Sequence, residues 1–258
     1  MAEVTKFSIY RPSLKIEQLN QTITYGSVFL LGVGAGWIIE GHYWNIFLTS
    51  YIPALATLLA AFYGAKYAFK FQNDKDVYLE KKLNLVNANK SIFSLMRMAN
   101  TLAVYRKEII NPIRNSPTIF LEMPPTLQME KEFIKLDIES LYFMLETDDR
   151  NLLGEVIVEE ERYRSTLDAI NKRSELHLNE VQPLLERANF VEGGEYSLET
   201  IQEILKPRLY SSITQLTEQV LQHVDSTIES LQLISNKLHV SVKKQFPNDT
   251  VIKFSIPQ

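Results

Sequence analysis

Ile23-Thr-Tyr-Gly-Ser-Val-Phe-Leu-Leu-Gly-Val-Gly-Ala-Gly-Trp-Ile-Ile39 is the apolar centre of a run, residues 18–39, that carries no charge. Its length is roughly what a helix needs to cross a hydrocarbon core of about 30 Å. A second uncharged run, residues 43–65, leads into the basic and aromatic segment Lys66-Tyr-Ala-Phe-Lys70. Pro53 suits the first turn of a helix there, where a missing N–H costs nothing. Together the runs predict a transmembrane hairpin over residues 22–72, with helices at about 22–39 and 52–69 and a short external loop, 40–51. Residues 1–21 then form a cytoplasmic N-terminal segment, and residues 73–258 a cytoplasmic helical domain.

The orientation follows from charge. Residues 40–51 contain no Lys or Arg. Lys6, Arg11 and Lys15 precede the first span, and Lys66, Lys70, Lys75, Lys81 and Lys82 follow the second. The positive-inside rule predicts a multi-pass protein of a cell inner membrane with both termini in the cytoplasm. Trp37 and Trp44 are outer interface anchors, and Lys66 and Lys70 snorkel to the inner interface.

Both spans carry small residues four apart: Gly32 and Gly36 in the first, and Ala56, Ala60 and Gly64 in the second. Small residues let membrane helices approach closely. These stripes fit either the two helices of one hairpin or the joining of subunits in a homo-oligomer.

The whole chain has 258 residues, of which 45% are apolar and 22% charged. That suffices for a core and is too apolar for wholesale disorder. The absence of Cys excludes disulfides, thiolate metal sites and cysteine catalysis. A net charge of −4 gives no general attraction to nucleic acid.

Beyond residue 73 the pattern is all-α. Asn73-Asp74 opens, or carries on from the second span, a helix that Pro112 stops, with an apolar stripe of Leu79, Leu83, Val86, Phe93, Met96 and Leu102. Pro117, Pro124 and Pro125 mark a linker holding a short extended piece, Thr118-Ile-Phe-Leu121. Helix signals resume after Pro125 and run through Leu141-Tyr-Phe-Met-Leu145. Leu153, Val156, Glu160, Tyr163, Leu167, Ile170, Ser174, His177, Val181 and Leu184 keep 3-4 spacing without a slip, the signature of a helical seam. Glu160, Ser174 and His177 are polar positions in it. Pro183 kinks or ends that helix, and Glu192-Gly-Gly194 is a turn. A last helix starts after Ser197, kinks at Pro207 and carries a stripe from Ile213 to Leu238. Residues 251–256 alternate like a strand, and Lys253-Phe-Ser-Ile256 echoes Lys6-Phe-Ser-Ile9. The predicted fold is therefore a two-helix membrane hairpin followed by an antiparallel bundle of long helices, with short extended pieces near the termini.

Catalytic chemistry is not evident. His42, His177, His223 and His239 lack the spacing of zinc ligands. Glu160 and Arg164 read as an i, i+4 ion pair. No P-loop, nucleophile elbow or Ser-His-Asp context is present, so neither an enzyme nor a cofactor is expected. Glu160, Arg173 and His177 stand out as polar seam positions that either complete the bundle or contact a cytoplasmic protein partner.

This architecture, spans at 22–39 and 52–69 followed by a helical remainder, resembles the small two-transmembrane effectors of bacterial anti-phage systems, including those paired with retrons. No residue is carried over from that group. The resemblance implies an effector that damages or depolarises the inner membrane once a cytoplasmic partner releases it. The other reading of the same layout is a constitutive anchor that recruits a soluble partner through its bundle.

Overall fold

The computed structural model describes residues 24–28, 32, 47–129, 134–191, 194 and 196–253. Among them every regular element is helical. The chain divides into two compact units, Met1–Asp76 and Val77–Gln258.

In the first unit, residues 24–28 and 32 are helical. A turn of π-helix, Phe47–Tyr51, leads into helix α1, Ile52–Tyr105. Pro53 sits in the first turn of α1, and the Thr57 hydroxyl donates to the Pro53 carbonyl at 2.8 Å, the i−4 back-bond that threonine makes in helices. The helical stretch Thr49–Ile113 holds an 18-residue window of mean hydropathy 1.3, none of it buried. It is long and apolar enough to cross a membrane. The rest of the expected first span, with Gly36 and Trp37, lies outside the described residues, as do Trp44 and the segment 1–21.

The second unit begins inside α1. Ala88, Ile92, Leu95, Ala99 and Leu102 are wholly buried there. This corrects part of the stripe expected from sequence: Leu102 is buried as expected, but Leu79, Leu83, Val86 and Phe93 are exposed on the opposite face. The helix has two apolar faces, and periodicity alone does not say which is covered. After Tyr105 the chain passes through a π turn, Arg106–Ile110, and a 3-10 turn, Asn111–Ile113, where Pro112 ends it.

The linker also differs from expectation. Thr118 to Leu121 is not extended; helix α2, Ile119–Glu122, forms instead. The Glu122 carboxylate accepts hydrogen bonds from the Ser116 and Thr118 hydroxyls, which folds the segment on itself. Among the described residues no α-helix forms between Pro125 and Glu146. Residues 124–129 are irregular, and the segment Glu139–Glu146 is a 3-10 helix.

Helix α3, Asn151–Leu176, continues through a π turn, His177–Val181, into helix α4, Gln182–Arg187, with Pro183 in its first turn. The seam reads as the sequence spacing implies: Val156, Tyr163, Leu167, Ile170 and Val181 are all buried. Asn189 takes the left-handed conformation at φ 51°. Bonds from Asn189 N–H to the Glu186 carbonyl and from Phe190 N–H to the Leu185 carbonyl close a Schellman motif. In the turn that follows, a Cβ at Gly194 would lie 2.6 Å from the Tyr196 ring, so a larger residue there would have to displace that ring from its stack on Phe190.

Helix α5, Leu198–Gln245, starts where Ser197 accepts from the Thr200 N–H at 3.2 Å, as an N-cap does. It breaks before Pro207, where Lys206 has φ 61° and ψ 153°. A proline drives the preceding residue out of the helical region. Val220, Val224, Leu231 and Leu238 fill the core.

Helices α3 and α5 run antiparallel. Asp149 bonds Ser241, Glu155 bonds Lys237, Thr166 bonds Thr227 and Arg173 bonds Thr217, so one series rises as the other falls. Arg114 clamps Asp225 through two bonds, at 2.8 and 3.0 Å. Residues 251–253 are irregular rather than a strand; Val251 is buried, and Ile252 N–H donates to Asn89 Oδ1 at 2.9 Å. The remainder of the Lys253-Ile256 echo, and its partner Lys6-Ile9, lie outside the described residues.

Candidate functional site

The polar residues of the α3 seam converge on residues 120–129 and on Leu136. A helix presents positions three and four apart on one face. Asn171, Ser174 and His177 obey that spacing, and Arg173 is adjacent. Asn171 brackets Met129: its Oδ1 accepts from Met129 N–H at 2.9 Å and its Nδ2 donates to the Met129 carbonyl at 3.0 Å. Ser174 Oγ accepts from Thr126 N–H at 3.2 Å. His177 Nε2 lies 3.2 Å from the Leu121 carbonyl. Farther along, Glu160 Oε1 accepts from Arg164 at 2.6 Å and lies 3.5 Å from Leu136 N–H. These side chains give an irregular segment the backbone partners that a ladder would otherwise supply.

Arg173 is the centre of this arrangement and is fully buried. Its Nη2 donates to the Phe120 carbonyl at 3.0 Å, Nη1 to the Pro124 carbonyl at 3.4 Å and Nε to Thr217 Oγ1 at 3.4 Å. All three acceptors are neutral. Burial lowers the guanidinium to about 10, against which the Tyr105 hydroxyl acts weakly. The cation stays charged at neutral pH and is held in place by carbonyl dipoles. A buried cation in such company is costly, so the contact to residues 120–124 is a point of tension in the fold.

His177 feels the same surroundings. Burial, and then the Arg173 charge, push its pKa below the ordinary 6.5, while the Leu121 carbonyl pulls it up. It is therefore neutral at pH 7, with Nε2–H donating to Leu121 and Nδ1 buried without a partner among the described residues. The unfolded chain binds this proton more readily than the folded one. Stability from His177 is thus complete above its ordinary value and is lost as pH falls below it. Melting of the full chain between about pH 7.5 and pH 5 is expected to show this fall, and His177→Gln to flatten it. An unchanged profile in that variant would contradict the assignment.

The other candidates are dispersed. Lys66 and Lys70 are exposed on α1. Ala56, Ala60 and Gly64 form an exposed stripe, while Leu55, Leu59 and Phe62 make the half-buried face of the same helix. A Cβ built on Gly64 or on Gly32 meets nothing within 4 Å. His223 lines an open polar cleft of about 340 Å³ with Arg162, Ser165 and Ser226. His239 Nδ1 lies 2.8 Å from the Ile252 carbonyl. Among the described residues no cluster of His, Asp or Glu is placed to hold a metal.

Tyr105, Asn171 and Thr217 escaped the sequence reading. Asn171 had a usable signal, three residues before Ser174 on the same face. Tyr105 and Thr217 come from other helices, and only tertiary packing brings them to Arg173. No family model, curated protein or solved structure matches the chain.

Proposed function

We propose that this chain is an inner-membrane effector whose cytoplasmic helical domain restrains a membrane-perturbing hairpin. The observation that carries the reading is the uncovered apolar span of α1. An 18-residue window with no buried residue needs lipid or protein around it, because such a surface is unfavourable in water. The small-residue stripe supports self-association in the membrane: Ala56, Ala60 and Gly64 are exposed, and lie about a third of a turn round the helix from the half-buried Leu55, Leu59 and Phe62. The buried Arg173 supports control. It fixes residues 120–124 by hydrogen bonds to neutral oxygens, a contact that an oxyanion or a partner's carboxylate would outcompete.

The test is membrane potential in bacterial cells, read with a voltage-sensitive dye after the chain is induced alone. Depolarisation is expected from the full chain. It is expected to be lost on deleting residues 1–70, and weakened by Gly64→Leu, which adds bulk where one chain has open space. Normal potential with confirmed membrane insertion would overturn the unaided effector and leave the anchor as the better reading.

A further inference from the structure

The core-forming residues of α1 occupy one side of the helix, yet a second apolar seam runs along the other. Leu79, Leu83, Val86, Phe93 and Val104 are between 43% and 59% exposed. Their positions follow alternating steps of four and three, with Lys90, Arg97 and Asn100 at the intervening places. That is the a/d pattern of a coiled coil over nearly four heptads. It lies about half a turn round the helix from the buried Ala88, Ile92, Leu95 and Leu102. The bundle uses one face and leaves the heptad face bare.

We infer that this seam pairs with the same seam of a second copy of the chain, as a parallel two-stranded coiled coil. The flanking residues favour a second copy over other occupants. With Leu79 and Leu83 taken as d and a, the e and g positions from Glu80 to Thr101 are Glu80, Lys82, Asn87, Asn89, Ser94, Met96 and Thr101. One is acidic, one is basic and the rest are neutral. An anionic lipid surface or an acidic helix calls for a basic rim, and this rim is not one. A self-pair needs flanks that do not repel their own copy. In parallel register Lys75 at g also meets Glu80 at e of the other strand, the pairing that fixes partner and orientation. Lys90 and Arg97 are charged residues at a and Asn100 is polar at d; each faces its own copy in a parallel pair, and such polar core positions favour a defined register at a cost in stability. The parallel direction rests on the membrane reading, since copies inserted in one bilayer share an orientation. The self-pairing does not.

The cysteine-free sequence makes the test direct. Leu79→Cys, Phe93→Cys and Lys81→Cys are each expressed as the full chain, and membranes are washed with alkaline carbonate to confirm insertion. They are then oxidised with copper phenanthroline. Leu79→Cys and Phe93→Cys are both expected to give disulfide-linked dimers. Lys81, on the outer side of the pair, is expected to give roughly tenfold less, because a disulfide needs Cβ atoms about 4 Å apart. Equal yields at all three sites, or no dimer at Leu79 and Phe93 in inserted protein, would overturn the seam. Linkage at only one of the two would overturn the parallel register. Failure of the chain to reach the membrane fraction at all would instead count against the membrane reading.

Discussion

Arg173→Ala is expected to destabilise the folded chain by about 3 kcal/mol and to loosen residues 120–129. The substitution strips partners from the Phe120 and Pro124 carbonyls and one from Thr217 Oγ1, which keeps its bond to the Ile213 carbonyl. Each buried polar group left without a partner costs about 1–3 kcal/mol. It also leaves a void where one of the largest fully buried side chains stood. Relief of the buried charge offsets part of this. Arg173→Met separates the effects, since it fills most of the space without the charge. Its expected loss of stability is smaller, while the loosening of the segment is similar. Chemical denaturation reads the first effect and hydrogen exchange of residues 120–129 the second. Native exchange protection of that segment in both variants would show that Arg173 does not hold it.

Leu58→Arg combined with Ala61→Arg is expected to remove the chain from the membrane. Both positions are exposed on α1, and Leu58 is 62% exposed. In a water-soluble protein an arginine on an exposed helix face changes stability by only a few tenths of a kcal/mol. At the centre of a membrane span each costs about 2.5–3.5 kcal/mol. The same pair of substitutions is thus nearly silent under one account and decisive under the other.

Much of the second unit was legible in the sequence, because its signals are local. The spacing from Leu153 to Val181 reports a face that is in fact buried. Ser197 caps α5 and Pro207 breaks it, each through chemistry within a turn of the residue concerned. The failures share a different cause. Residues 118–145 look like an extended piece followed by a helix, but the backbone groups of Phe120, Pro124, Thr126 and Met129 are met by side chains from α3. Asn171 and Ser174 replace the partners a strand or helix would provide. Propensity has no access to hydrogen-bond partners supplied from about 40 to 50 residues away. The α1 stripe misled in part for another reason: two apolar faces share one period, and Leu102 lies on the covered one while Leu79, Leu83, Val86 and Phe93 lie on the bare one.

The candidate site was half visible. Glu160, Arg173 and His177 were singled out as polar intrusions in an apolar seam, and all three are buried. Their common task, gripping backbone groups between Phe120 and Pro124 and at Leu136, depends on a long-range arrangement that spacing does not encode.

The account stands most directly on where α1 resides, and fractionation after an alkaline carbonate wash measures that. The unaltered chain should remain wholly with the membrane pellet, and the Leu58→Arg, Ala61→Arg variant should be lost from it. An unaltered chain that washes into the soluble fraction, or a double-arginine variant that stays in the pellet as firmly as the unaltered chain, would contradict it.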